Sequence, residues 1–323
     1  MTAMQDVPPA HVEEAMWIEA VGHRIPAALT LPAGREPRGA VILVPGSLYI
    51  DVDGNMPMFG ARPHACADLA RQLATRGIAV LRYAKRGPGT GSQVVDPVTA
   101  EAARTFRSRV DVLTAALALL RTRVPGPPTV VAGHSEGAVV AFMAAAEGLA
   151  VEGVVSLSSP SVGIFAIMRE QLPVPPHAPA QAYAGFDAAV AALRAGGPMP
   201  SLDPADPTLA SLAWIARSGE AGVRYMAEID AVDPVATAAR IGLPMLIVQG
   251  GRDTSVPAHH ADAIQRAREA AGLPTRRAFF PELQHFYKRV AADADPMASF
   301  MIDTESDPAV PEAIVGWMGE ALR

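Results

Sequence analysis

Thr129-Val130-Val131-Ala132-Gly133-His134-Ser135-Glu136-Gly137-Ala138-Val139-Val140-Ala141-Phe142-Met143-Ala144 is the stretch that decides the fold. It begins with a short apolar run of strand type. It ends in an apolar run that reads as a buried helix. Between them, Gly133 to Gly137 spell G-x-S-x-G. A serine on so tight a strand-to-helix turn is forced outward, its Oγ free at the top of a sheet. The flanking glycines lack Cβ atoms, so strand and helix can approach closely. The helix N-terminus beside Ser135 favours a developing negative charge.

Working outward, strand-like runs alternate with helical ones. Ala40–Val44, Ile78–Tyr83, Val151–Leu157, Met245–Gln249 and Arg277–Phe280 are short and apolar, as suits strands buried on both faces. Residues 16–20 and 25–31 are close enough for an antiparallel hairpin. Leu69 and Leu73 share one helical face, and Val110, Leu113, Leu117 and Leu120 another. Ile264 and Ala267 mark a further helix that ends at Gly272-Leu273-Pro274, and residues 311–322 form the last. The alternation predicts an α/β fold with a mostly parallel central sheet flanked by helices. Between Pro160 and Asp233 the alternation stops. Proline clusters there surround helical pieces at 183–194, 209–217 and 222–228. The expected organisation is a core of residues 1–160 and 234–323, with a helical lid at 161–233 inserted after the sixth strand.

A serine hydroxyl needs a base within reach and a third group to orient that base. In such sheets ligands sit beyond the carboxyl ends of the strands. Asp253 follows one strand, in Gly250-Gly251-Arg252-Asp253. His285 follows the last, in Glu282-Leu283-Gln284-His285-Phe286. Ser135, Asp253 and His285 are thus the expected catalytic residues, with Asp230 and Asp233 as rival acids. The oxyanion hole is expected from the backbone N–H groups of Glu136 and Ser47, with Leu48 second to Ser47. Candidate pocket residues are Leu48, Tyr183, Phe186, Trp214, Tyr225 and Phe286. His259 and His260 read as a solvated helix terminus. His134 is held in the turn, where it does not readily face Ser135. No His, Cys, Asp and Glu cluster has metal-ligand spacing.

These motifs resemble the α/β-hydrolase superfamily, and within it the lidded bacterial esterase/lipase and serine-aminopeptidase-like hydrolases. Val44-Pro45-Gly46-Ser47 followed by Asp51-Val52-Asp53-Gly54-Asn55 resembles that group's oxyanion turn and D-G-N loop. Arg82-Tyr83-Ala84-Lys85-Arg86-Gly87-Pro88-Gly89 is similar to its Y-D-K-R-G-x-G segment. Gly250 to Pro257 resembles its acid turn. Ala84 departs from the usual Asp, Pro45 from a frequent His, and Asp51-Val52-Asp53 from a pattern with Arg before Asp.

The resemblance implies a cofactor-free serine hydrolase acting on small esters through an acyl-enzyme, and the lid, by bounding an apolar pocket, suggests short to medium acyl chains. Amidase, aminopeptidase and thioesterase activity are alternatives on the same residues. An aminopeptidase would need an acid in the lid, for which Glu220 and Glu228 are candidates. A non-catalytic ligand-binding protein is the alternative of another class. A histidine base implies activity rising through about pH 6–8.

The bulk composition is that of a soluble chain with a sizeable core: 323 residues, half of them hydrophobic and 19% charged. A net charge of -6 gives no basic footprint for nucleic acid. No apolar run is long enough to span a membrane, and no signal peptide is evident, so a cytoplasmic protein is expected, monomeric or dimeric. The lone Cys66 excludes an internal disulfide and reads as a small buried residue.

Overall fold

The apolar runs become the strands of one nine-stranded sheet. In the computed structural model, which describes residues 10–172, 180–195, 212, 215, 219–295 and 301–322, the strands are β1 (His11–Ala20), β2 (His23–Pro32), β3 (Gly39–Val44), β4 (Ile78–Tyr83), β5 (Gln93–Val94), β6 (Thr129–His134), β7 (Gly153–Leu157), β8 (Met245–Gly250) and β9 (Thr275–Phe280). Their order is β1-β2-β4-β3-β6-β7-β8-β9, with β5 on the side of β2. The β1–β2 hairpin and the β2–β4 pair are antiparallel. From β4 through β9 every pair is parallel.

The helices are α1 (Ala65–Thr75), α2 (Pro97–Ala102), α3 (Ser108–Arg123), α4 (Glu136–Ala146), α5 (Ile164–Glu170), α6 (Ala180–Arg194), α7 (Gly219–Asp230), α8 (Pro234–Ala238), α9 (His259–Ala270) and α10 (Ala309–Ala321). Successive strand side chains point to opposite faces, and β3 shows the consequence. Ala40, Ile42 and Val44 enter one core with residues of α3, α4 and α9. Val41 and Leu43 enter a second core with Leu69, Leu73, Ile314 and Trp317 of α1 and α10. Covering both faces is what lets the parallel strands be apolar throughout.

The segment without strands follows β7, the seventh strand rather than the expected sixth, because the two-residue β5 adds one to the count. Its α5, α6 and α7 share an apolar cluster that includes Phe165, Phe186, Val190 and Leu193. Asp230 joins these helices to one another, its carboxylate accepting from the Phe165 N–H and from Arg194.

Two glycines hold the turn after β6 in place. A Cβ on Gly137 would collide with the carbonyl oxygens of Val44 and Pro45. A Cβ on Gly133 would collide with the backbone of Gly137 and Ala138. Gly137→Ala is therefore expected to destabilise the chain by about 1–3 kcal/mol or more, since backbone atoms cannot swing aside. Urea unfolding measures this, and an unchanged midpoint would contradict so close an approach.

Candidate active site

Ser135 is the single residue between β6 and α4. Its backbone has φ 53° and ψ -124°, a region that non-glycine residues adopt only when the surroundings impose it. Its N–H donates to the Leu157 carbonyl at 2.8 Å. The turn after β3 lies against it: a Cβ on Gly46 would stand 3.4 Å from the Ser135 Cβ. Ser47 and Leu48 come next, Ser47 half-buried and Leu48 exposed with φ 64°. The structure thus brings the segment expected to supply one oxyanion donor to the nucleophile, and Glu136 opens α4 beside it.

Asp253 and His285 meet although 32 residues separate them. The His285 Nδ1 lies 2.8 Å from Asp253 Oδ2, and both residues are buried. A carboxylate only accepts, so the proton is on Nδ1 and Nε2 carries the lone pair. The other carboxylate oxygen accepts the N–H groups of Ser255 and Val256 at 3.0 and 2.8 Å. Burial alone would push the Asp253 carboxyl up, but His285, the Val256 N–H and the Ser158 side chain outweigh it and hold it below the usual range. The rival acids have other work. Asp230 joins helices of the insert to one another, and Asp233 caps α8 by accepting the Ala236 N–H.

His134 braces the base. Its Nε2–H donates to the His285 carbonyl at 2.9 Å, and the two rings stand 4.5 Å apart. Burial, with His285 nearby, pushes its pKa down to about 3, so it stays neutral. Its position one residue before the nucleophile was the only sequence signal for this role.

A buried charged cluster lies behind the turn. Glu136 Oε1 accepts from Lys85 Nζ at 2.8 Å, from Arg109 Nη1 and from the Tyr225 hydroxyl at 3.1 Å. Burial would raise the Glu136 carboxyl; Lys85 and Arg109 reverse that and keep it ionised. Burial pushes Lys85 down to about 8, against the pull of Glu136. Arg109 Nη2 donates to the Pro45 carbonyl. One guanidinium therefore joins the side chain of Glu136 to the turn that carries Ser47.

The expected pocket residues divide. Phe286 is buried with Ile50, Met56 and Ala61 and lines a small apolar cavity with Gly46, His134 and Cys66. Burial pushes the Cys66 thiol up to about 12. Tyr225 is half-buried, its hydroxyl on Glu136 and its ring edge-on to Phe106. Phe186 is buried in the apolar cluster shared by α5, α6 and α7. Tyr183 sits under the Arg169 guanidinium. Trp214 lies outside the described residues. Glu228, a candidate amine binder, accepts the N–H groups of Phe106 and Arg107 at the start of α3, whereas Glu220 is exposed.

The departures noted in the sequence are locally compensated. Arg86, without an Asp at position 84, donates to the Ala103 carbonyl and the Ser108 hydroxyl. Asp51 ties its own loop by accepting from Asp53 and Asn55, and Asp53 pairs with the buried Arg82.

Solved structures share this architecture. Est1E from Butyrivibrio proteoclasticus, determined with ferulic acid bound, superposes with a TM-score of 0.59 at 18% identity, covering 95% of this chain and 99% of that one. The Pyrococcus furiosus esterase Pf2001 gives a TM-score of 0.58 at 12% identity, covering 100% of this chain and 96% of that one. The fold is thus that of the α/β-hydrolases. Residues 59–195 of this chain match the family model described as serine aminopeptidase, S33. It is 27% identical over 306 residues to esterase EstD of Thermotoga maritima, an alignment covering 91% of this chain and 65% of that protein's length.

Proposed function

We propose that this chain, with its α/β-hydrolase fold, is a carboxylesterase-type serine hydrolase. Ser135 attacks the ester carbonyl while His285 Nε2 takes its proton. Asp253 holds the imidazole and stabilises the imidazolium. The N–H groups of Glu136 and Ser47 bind the oxyanion, the alcohol leaves with the proton from His285, and a water activated by the same base releases the acid. The strained Ser135 backbone, beside a buried Asp253–His285 pair, is the observation that carries this reading. Similarity to esterase EstD of Thermotoga maritima supports ester over amide.

The insert at 161–233 acts as a lid that bounds an apolar acyl pocket, so short to medium acyl chains are preferred. A p-nitrophenyl ester series from acetate to palmitate tests this. Turnover should peak at or below octanoate; a peak at palmitate would reject the bounded pocket. Aminopeptidase activity has the family-model match in its favour but retains only Glu220 of its two candidate amine binders. No helix among the described residues is long and apolar enough to cross a membrane.

Arg109 positions both halves of the oxyanion hole in this scheme. Arg109→Met should lower kcat by about 10²-fold while KM changes little, the cost of misplacing donors by a fraction of an ångström to an ångström. A rise in KM with kcat intact would point to substrate binding instead.

A further inference from the structure

His260 is expected from the sequence to be solvated, yet it is fully buried at the start of α9. Its ring is gripped from both sides. Nδ1 faces Ser161, with the backbone N–H at 3.1 Å and Oγ at 2.8 Å. Nε2 faces Glu170 Oε2, at the end of α5, at 3.0 Å. The neighbouring His259 brings its own Nε2 to the same oxygen at 3.3 Å, and the two imidazoles stack 4.2 Å apart. Two imidazole nitrogens and a carboxylate oxygen therefore converge, all within 4.8 Å of one another.

We propose that Glu170, His259 and His260 form a binding site for a divalent transition-metal ion of the zinc type, at the junction of insert and core. Zinc takes imidazole nitrogen at about 2.0–2.1 Å and carboxylate oxygen at about 2.0–2.2 Å, which places tetrahedral ligand atoms about 3.3–3.5 Å apart. The two Glu170–histidine separations lie at or just below that edge length. Three protein ligands leave a fourth position for water. The donor set suits Zn²⁺, Ni²⁺ or Cu²⁺ and not Ca²⁺ or Mg²⁺, which demand oxygen.

The proton count closes. Without metal, His260 is neutral with its proton on Nε2, because the Ser161 N–H occupies Nδ1 as donor. With metal on Nε2 the ring proton moves to Nδ1 and is donated to Ser161 Oγ, the partner that orients a metal-bound histidine. The exchange gives up the Ser161 N–H bond to the ring. The site would pin the insert where it meets the acid turn. Gln171, next to Glu170, already donates to the carbonyl of Ser255, two residues past Asp253.

The sequence concealed this cluster because Glu170 lies 90 residues from His260. The test is calorimetric titration of the chelator-treated, full-length protein with ZnCl₂, repeated on Glu170→Gln and His259→Ala. His259 is an exposed side chain, so that variant keeps its fold. One ion per wild-type chain is expected, with a rise in melting temperature. Each variant should bind at least about tenfold more weakly and lose that rise. Excess Ca²⁺ or Mg²⁺ should not compete. No saturable binding, equal binding in both variants, or displacement by Ca²⁺ would overturn the site.

Discussion

Ser135→Ala lowers kcat/KM for p-nitrophenyl esters by about 10⁴-fold or more, while the melting temperature stays near that of the wild type. Both parts follow from the geometry. The methyl group keeps the Cβ that the turn already accommodates at positive φ, and the Ser135 N–H bond to Leu157 does not depend on the side chain. What is lost is the nucleophile. The remaining rate is that of water attacking an ester held against the oxyanion donors, which typically leaves about 10³–10⁴ over the uncatalysed reaction. The rival is Ser47, beside the same site but not on a strained strand-to-helix turn. A variant retaining a tenth or more of wild-type activity would move the chemistry there.

Asp253→Asn is the second large effect, a fall of about 10⁴-fold in kcat with KM little altered. The asymmetry of the carboxylate's partners decides it. One oxygen accepts two backbone N–H groups, from Ser255 and Val256, and only an oxygen can serve there. The amide nitrogen of the introduced asparagine must then face His285. Two donors would oppose each other unless the imidazole moves its proton to Nε2. That is the nitrogen required as base toward Ser135, so the variant holds the wrong tautomer. The substitution also alters acid stability. Because the folded Asp253 carboxyl titrates below its unfolded value, its ionised form contributes stability that is full above the unfolded carboxylate range. That contribution is lost as pH falls through the lowered value. The asparagine variant lacks it, so the acid limb of its stability profile is shallower. Wild-type rates in this variant would show that the acid has no part in setting the tautomer.

Much of the architecture was legible because buried parallel strands announce themselves as short apolar runs, and β3, β4, β6 and β8 lie within two residues of where those runs predict. The adjacency of Asp253 and His285 followed from a general rule, that functional side chains gather past the carboxyl ends of strands. The pairing of Gln93–Val94 with β2 was not legible, since two exposed residues carry no periodic signal. Nor were the partners of Glu136. Lys85, Arg109 and Tyr225 reach one carboxylate from a loop, α3 and α7, and only the folded chain sets that distance. What Phe186 and Tyr225 pack against was not legible either, because aromaticity reports burial without saying against what. His260 reads as solvated because it stands in the opening turn of a helix, whereas its burial comes from Ser161 and Glu170, contributed by another part of the chain.

If Ser135 is an activated nucleophile, incubating the wild-type protein with a fluorophosphonate, followed by peptide mass spectrometry, should give one phosphonyl adduct per chain on Ser135. The rate of labelling should fall steeply in Asp253→Asn. An adduct on Ser47, or a folded protein that takes up no reagent, would overturn that role.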